Sequence, residues 1–401
     1  MKYLQIKQHQ FRLRRRIIDV RALLAWIFVA GLVGWWTPLA SAADLSITQP
    51  LDFQVIQRQT KAAGTLNISG NLFGDTKPSR LEVRFVTDGK PGEWKKLKAK
   101  FQATAFQAAM KIPAGGWYRL EVRALHRREV VGQAAVEHVG VGEVFVVAGQ
   151  SNSANHGEEK QSTRTGRVST FDGKCWRLAN DPQPGASGGG GSFLPPFGDA
   201  MAQRFHVPVG LGACGIGATS VREWLPKGAR FPNPPTLTGR VRQNASGEWE
   251  STGEAYAMLV ARMKSLEPRG FRAVLWHQGE SDANQADATR TLPGKLYREY
   301  LERVIRESQR DISWPAPWFV AQVSYHVPGD EASPEIRAAQ SSLWKDGIAL
   351  EGPDSDALKS DWRDSGGKGV HFSGPGLREH AARWVEKVAP WLERSLNEPG
   401  K

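Results

Sequence analysis

Four short polar segments hold the residues best suited to chemistry. The apolar run Val144-Phe145-Val146-Val147-Ala148 leads straight into Gly149-Gln150-Ser151-Asn152-Ser153. A serine just past a buried strand, after a glycine, can sit on a tight turn with its hydroxyl exposed. Its N–H can then point at a developing oxyanion. Taken alone, such a serine more often caps the following helix. Ser153 stands where a G-x-S-x-G elbow has its second glycine, which disfavours that type of hydrolase. The second segment is Gly215-Ile216-Gly217-Ala218-Thr219-Ser220. A glycine there lets the backbone approach a ligand, so the Gly217 N–H is a candidate oxyanion donor, although a plain turn is the commoner role. The third is His277-Gln278-Gly279-Glu280-Ser281-Asp282, with an amide donor at Gln278 and a carboxylate at Glu280. The fourth, Gly369-Val370-His371-Phe372-Ser373, brings His371 as a general base for Ser151. A lone histidine is more often structural. The order Ser, Gly, Gln, His, each after a strand or before a helix, points to nucleophilic acyl transfer.

Those segments need a scaffold that delivers them to one place. Residues 207–211, 273–276 and 319–323 are apolar runs like 144–148, as expected of strands buried on both faces. Between them lie helical spacings, as in Ala255, Met258, Leu259, Met263 and Leu266, and later in Leu377, Ala381, Trp384, Val385, Val388, Trp391 and Leu392. Alternating strands and helices predict a parallel sheet with helices on both faces and a ligand site at the carboxyl ends of the strands. Residues 44–140 differ. Runs at 53–58, 64–72, 80–86, 95–101, 106–112 and 117–125, several of them alternating, predict a small all-β sandwich of Ig-like type. The expected organisation is a leader at 1–43, the sandwich at 44–140 and a catalytic domain at 141–401.

The leader explains much of the charge. The chain has a formal charge of +12. Half of it falls in residues 1–21, where Lys2, Lys7, Arg12, Arg14, Arg15, Arg16 and Arg21 meet only Asp19. No basic run interleaved with aromatics follows, so no nucleic-acid partner is expected. Residues 22–36 carry no charge, and Ala40-Ser41-Ala42 follows. This is the pattern of a cleavable signal peptide, cut near Ala42 or Ala43, and the run is shorter than the ~20 residues of a spanning helix. Export without a permanent membrane anchor is the expectation, by a general or twin-arginine route. It permits a Cys175–Cys214 disulfide, as it permits two buried thiols. The 180–198 stretch, with its glycines at 188–191, lacks the Lys-Ser/Thr ending of a phosphate loop and reads as an irregular surface loop. His277 has no second histidine at H-x-x-x-H spacing, so no metal is expected.

Gly149-Gln150-Ser151-Asn152, Gly217-Ala218-Thr219 with the later Trp224, Trp276 through Asp282, and Gly369 through Ser373 together resemble the blocks of the sialate O-acetylesterase-like group of SGNH hydrolases, which includes carbohydrate esterase family six. The four blocks span about 141–390. The resemblance implies a flavodoxin-like three-layer α/β/α domain, a Ser151–His371 pair, an oxyanion hole from Ser151, Gly217 and Gln278, an O-acetylated carbohydrate as substrate, and no cofactor. Two positions depart from the pattern. Ala218 stands where the family often has glycine. Lys368 stands three residues before His371, where the family often has aspartate. The acid of the triad is then Glu280 or Asp364. The short connection from Gln278 favours Glu280, since Asp364 must cross Ser365-Gly366-Gly367-Lys368 to reach the imidazole. Two other readings are a non-catalytic carbohydrate-binding protein on the same scaffold and a lipase or thioesterase.

Overall fold

A change of periodicity within one strand organises the structure. This computed structural model describes residues 44–74, 78–266 and 268–397. Glu129–Gly149, here β1, is a continuous strand of 21 residues. Up to His138 exposed and buried residues mix, and from Val139 onward every residue is buried. The first part pairs antiparallel with Gly115–His126. The second part pairs in parallel with two strands of another character, Val209–Ala213 and Ala273–His277. The boundary expected at 140–141 therefore lies inside one strand, and the described residues cluster as one compact unit.

Before β1 the expected β runs are strands. Ala63–Phe73, Arg80–Thr87, Ala105–Pro113 and Gly115–His126 are the long ones. The run expected at 95–101 is split into Lys95–Leu97 and Lys100–Gln102, which belong to different sheets. Leu66, Ile68, Phe106 and Ile112 from one sheet share a core with Leu81, Val83, Leu120 and Val122 from the other.

The central sheet adds β2 (Val168–Phe171), β3 (Trp176–Leu178), β4 (Val209–Ala213), β5 (Ala273–His277), β6 (Trp318–Gln322) and β7 (Leu350–Asp354). Its order is β3-β2-β4-β1-β5-β6-β7. Only the edge strand β3 is antiparallel. Side chains alternate across the sheet. Phe145, Val147, Leu211, Leu275 and Phe319 pack on one face with Phe197, Leu377, Trp384 and Leu392. These come from α1 (Leu194–Phe205) and α5 (Gly374–Asn397). Val144, Val146, Val274, Trp276 and Val320 pack on the other face with Leu259, Leu301, Val304, Ile336 and Leu343. These come from α2 (Glu254–Ser265), α3 (Gly294–Asp311) and α4 (Pro334–Lys345). The fold is thus a mixed α/β one, with helices on both faces of a mainly parallel sheet. The chain runs from β1 to β2 and β4 on one side and then crosses to β5 on the other. The crevice at the end of β1 is a topological switch point, where such sheets bind ligands.

The leader expected at 1–43 lies outside the described residues. Among the described residues no helix is long and apolar enough to cross a membrane. Cys175 is exposed and Cys214 buried, and both are free thiols. Burial pushes the Cys214 thiol up to about 12.

A buried charge cluster joins the strands before β1 to the central sheet. Glu143, fully buried on β1, accepts from Arg58 Nε at 2.5 Å, Arg272 Nε at 2.7 Å and Gln57 Nε2 at 2.9 Å. Removing Glu143 leaves the buried Arg58 and the largely buried Arg272 charged and without their carboxylate. Glu143→Ala is expected to lower the unfolding free energy by about 3–5 kcal/mol, read as a lower urea midpoint with an unchanged m-value.

Candidate active site

The end of β1 leaves no space for a side chain at Gly149, where φ is +126° and a Cβ would stand 2.1 Å from His277 O. That close approach brings Gln150 against the exit of β5. Gln150 Oε1 accepts from Gln278 Nε2 at 3.2 Å, Gly279 N at 3.4 Å and Ser281 N at 3.1 Å. Ser151–Ser153 then forms a single helical turn. As its first residue, Ser151 has an N–H with no acceptor inside the turn. Ser151 lines a cleft of about 540 Å³, together with His156, Ser187, Gly217, Glu280 and His371. No hydrogen bond joins Ser151 to His371. Such bonds are often long in ligand-free sites and tighten on binding.

The carboxylate beside the imidazole is that of Asp364. Its Oδ2 lies 3.5 Å from His371 Nδ1. The structure places Asp364, and not Glu280, against the ring, and the reason is the loop. Ser365, Gly366 and Gly367 have φ of +54°, +65° and +83°, which curls the chain back on itself. Lys368 N and Gly369 N donate to Asp364 O at 3.2 and 3.0 Å, and Asp364 N donates to His371 O at 2.9 Å. His371 N donates to Asp364 Oδ1 at 3.2 Å. The glycines make a closed turn where the sequence suggested a slack connector. Arg363, buried beneath it, donates to Leu358 O, Val370 O and Ser355 O at 2.6, 2.8 and 2.9 Å. Burial pulls the pKa of His371 below the ordinary histidine value, and Asp364 raises it part of the way back. The imidazole is therefore neutral at pH 7 and able to accept a proton.

Glu280 occupies the same cleft with different partners. Its Oε1 accepts from Asn152 Nδ2 at 3.0 Å, and its Oε2 is buried without a hydrogen bond. Burial pushes its carboxyl up to about 7.

Gln278 is held beneath the cleft. Its Nε2 donates to Asp282 Oδ2 at 2.7 Å, to Thr219 O at 3.0 Å and to Gln150. With both hydrogens committed below the cleft, it has none for an oxyanion. Asp282 accepts in addition from Ser220 Oγ at 2.5 Å and Val221 N at 2.8 Å, which ties the exit of β4 to that of β5. Gly217 does reach the cleft, where its N–H donates to Ser187 Oγ at 2.6 Å. His277 faces the interior, 3.1 Å from Ser355 Oγ, and burial drives its pKa down to about 3. Among the described residues no group of three or more His, Cys, Asp or Glu side chains is placed to hold a metal ion.

His156 and Ser187 also line the cleft, without a motif that assigns either a role in the reaction. The His156 ring stacks on that of His371, with centroids 5.5 Å apart. Ser187 sits in the stretch read as an irregular loop, and the glycines that follow it were the only signal of a close approach. The assembled groups are a hydroxyl, a neutral imidazole braced by a carboxylate, and two backbone N–H groups beside them. That set is fitted to acyl transfer.

A family model described as carbohydrate esterase, sialic acid-specific acetylesterase, matches residues 141–389. A probable carbohydrate esterase of Arabidopsis thaliana is 24% identical over 235 residues, or 55% of this chain and 82% of that protein. The crystal structure of a carbohydrate acetylesterase from Xanthomonas citri is similar with a TM-score of 0.50 at 18% identity, over 85% of this chain and 74% of that one. At that identity the likeness bears on the fold alone.

The geometry around His371 makes a direct prediction. Asp364 is the group that raises the imidazole pKa against the effect of burial. Asp364→Asn is therefore expected to lower the His371 pKa further. Glu280→Gln, which removes no contact to the ring, is expected to move it less. Histidine ring titration by NMR reads both shifts.

Proposed function

The chain belongs to the carbohydrate esterase, sialic acid-specific acetylesterase family and is a carboxylic ester hydrolase, and from that premise we propose that it removes O-acetyl groups from carbohydrates through an acyl-enzyme on Ser151. The observation that carries this reading is the pairing of Asp364 with His371 in the cleft that Ser151 lines. Nδ1 of His371 faces Asp364, so Nε2 takes the Ser151 proton as Oγ attacks the acetyl carbon. Asp364 holds the ring and stabilises the imidazolium. The N–H groups of Ser151 and Gly217 receive the oxyanion, each donor worth roughly 2.7–4 kcal/mol in the transition state. Collapse breaks the ester bond, and the sugar oxygen leaves with the proton from His371. A water molecule, deprotonated by the same ring, then frees acetate and restores Ser151.

Glu280 in this reading holds Asn152 and does not orient the base. A carboxyl raised to about 7 is only partly charged at neutral pH, which makes it a weaker partner for an imidazolium. Arg240, Gln285 and His326 at the cleft offer hydrogen-bonding groups to a sugar, which supports a carbohydrate substrate. Acetylated sialic acid or an acetylated polysaccharide would fit it. Helices on both faces of the sheet support the flavodoxin-like three-layer arrangement of SGNH hydrolases. The core shared by the two sheets before β1 supports an Ig-like sandwich at 44–140. Export as a periplasmic or secreted enzyme rests on the charged and apolar pattern at 1–43.

Acetate release from a panel of acetylated glycans tests the proposal. Ser151→Ala is expected to abolish it with the fold intact. Asp364→Asn should lower kcat by a factor approaching ~10⁴, and Glu280→Gln far less. A crippled Glu280→Gln beside a nearly normal Asp364→Asn would overturn the assignment of the acid.

A further inference from the structure

Ser187 has an unexplained place in the cleft. Its Oγ accepts the Gly217 N–H at 2.6 Å and lies 3.0 Å from His156 Nε2. A hydroxyl that accepts from an amide still has its own hydrogen to give. Burial, and the nearby His371, lower the pKa of His156 and favour its neutral ring. The Gly217 N–H donates to Ser187 Oγ, and Ser187 Oγ shares a second hydrogen bond with His156 Nε2 whose direction follows the imidazole tautomer. The loop backbone around Ser187 is pinned. Ser187 N donates to Gly215 O at 2.9 Å, and Asn155 N donates to Ser187 O at 2.9 Å. Gly188, with φ +88°, leaves no room for a Cβ, which would stand 2.3 Å from Asn155 O. The hydroxyl alone is free to move, by rotation about one bond between staggered positions.

An amide has one hydrogen, so the Gly217 N–H cannot serve Ser187 and an ester oxygen at full strength together. We propose that Ser187 Oγ holds the place of the ester carbonyl oxygen at the Gly217 N–H in the free enzyme and gives it up when the acetyl group binds. The inference rests on the esterase reading above. Ser187 then sets how strongly the site takes up an ester, because each binding event exchanges one hydrogen bond for another. A hydroxyl that merely filled a gap in the loop would have no such effect on binding.

Steady-state kinetics of Ser187→Ala with 4-nitrophenyl acetate tests this, with the wild type and Ser151→Ala run alongside. Ser187→Ala removes the competitor and leaves the N–H open. KM is expected to fall roughly two- to tenfold, the size of one neutral hydrogen bond. Ser187→Thr, which keeps the hydroxyl, is expected to keep the wild-type KM. A lower kcat at unchanged KM would mean that Ser187 stays and donates to the transition state, and would overturn the proposal. An unchanged or higher KM in Ser187→Ala overturns it as well. Turnover that disappears in Ser151→Ala preserves the esterase reading whatever Ser187→Ala does. A wild type without turnover, or turnover that persists in Ser151→Ala, removes both.

Discussion

Gln150, Gln278 and Asp282 join three strand exits through buried hydrogen bonds, and the cleft depends on that junction. Gln150 leaves β1 and accepts from the turn after β5. Gln278 leaves β5 and donates to Thr219 O beyond β4. Asp282 accepts from Gln278 and from Ser220 and Val221, also beyond β4. All three side chains are buried. A buried polar group without a partner is costly, so any shift of one strand exit against another would expose several such costs together. Ser151 follows Gln150 and Gly217 precedes Thr219 by two residues, so the two backbone N–H groups at the cleft inherit their spacing from this junction. The H-Q-G-E-S-D segment, which looks in sequence like a source of reacting groups, works mainly as the junction that positions them.

A second constraint decides between the two carboxylates. Arg363 is buried under the histidine loop, its guanidinium 3.9 Å from the Tyr325 ring centre and 4.5 Å from that of Phe372. Its charge acts on both Glu280 and His371. It favours an ionised Glu280 and opposes an imidazolium at His371. For Glu280 burial outweighs that help, and its carboxyl stays raised. Asp364 keeps some exposure and sits against His371, so it can answer the positive charge that the ring acquires. Two acids near one base thus differ through burial and contact, and not through distance along the chain.

The alternation of buried strands and helices was legible from residue identity, because a strand covered on both faces must be apolar throughout. The runs at 144–148, 207–211, 273–276 and 319–323 each mark a strand of the parallel sheet. The four polar segments were legible for the same reason, since polar residues directly after such strands stand out. Partner choice was not. Gln278 and Glu280 are both polar and adjacent to the cleft, yet which atoms they satisfy depends on Thr219, Asp282 and Asn152, distant in sequence or hidden below the site. The place of Asp364 beside His371 was not legible, because glycines in sequence look like slack. Three successive positive φ values turn the same residues into a closed loop. Ser187 was invisible because its neighbours have the composition of an ordinary surface loop.

The long strand β1 links these levels. Its buried Glu143 holds Arg58, Arg272 and Gln57, and six residues later the same strand ends at Gly149, just before the nucleophile segment. Arg272 directly precedes β5, whose exit carries Gln278. One carboxylate therefore clamps β1 and β5 at their starts in the parallel sheet, as Gln150 clamps them at their ends. Two strands fixed at both ends by buried polar contacts cannot slide by a residue without turning every alternate side chain to the wrong face. The strands before β1 contribute to that clamp through Gln57 and Arg58. Their packing against the sheet therefore bears on the register of the strand that delivers Ser151, although none of their residues lines the cleft.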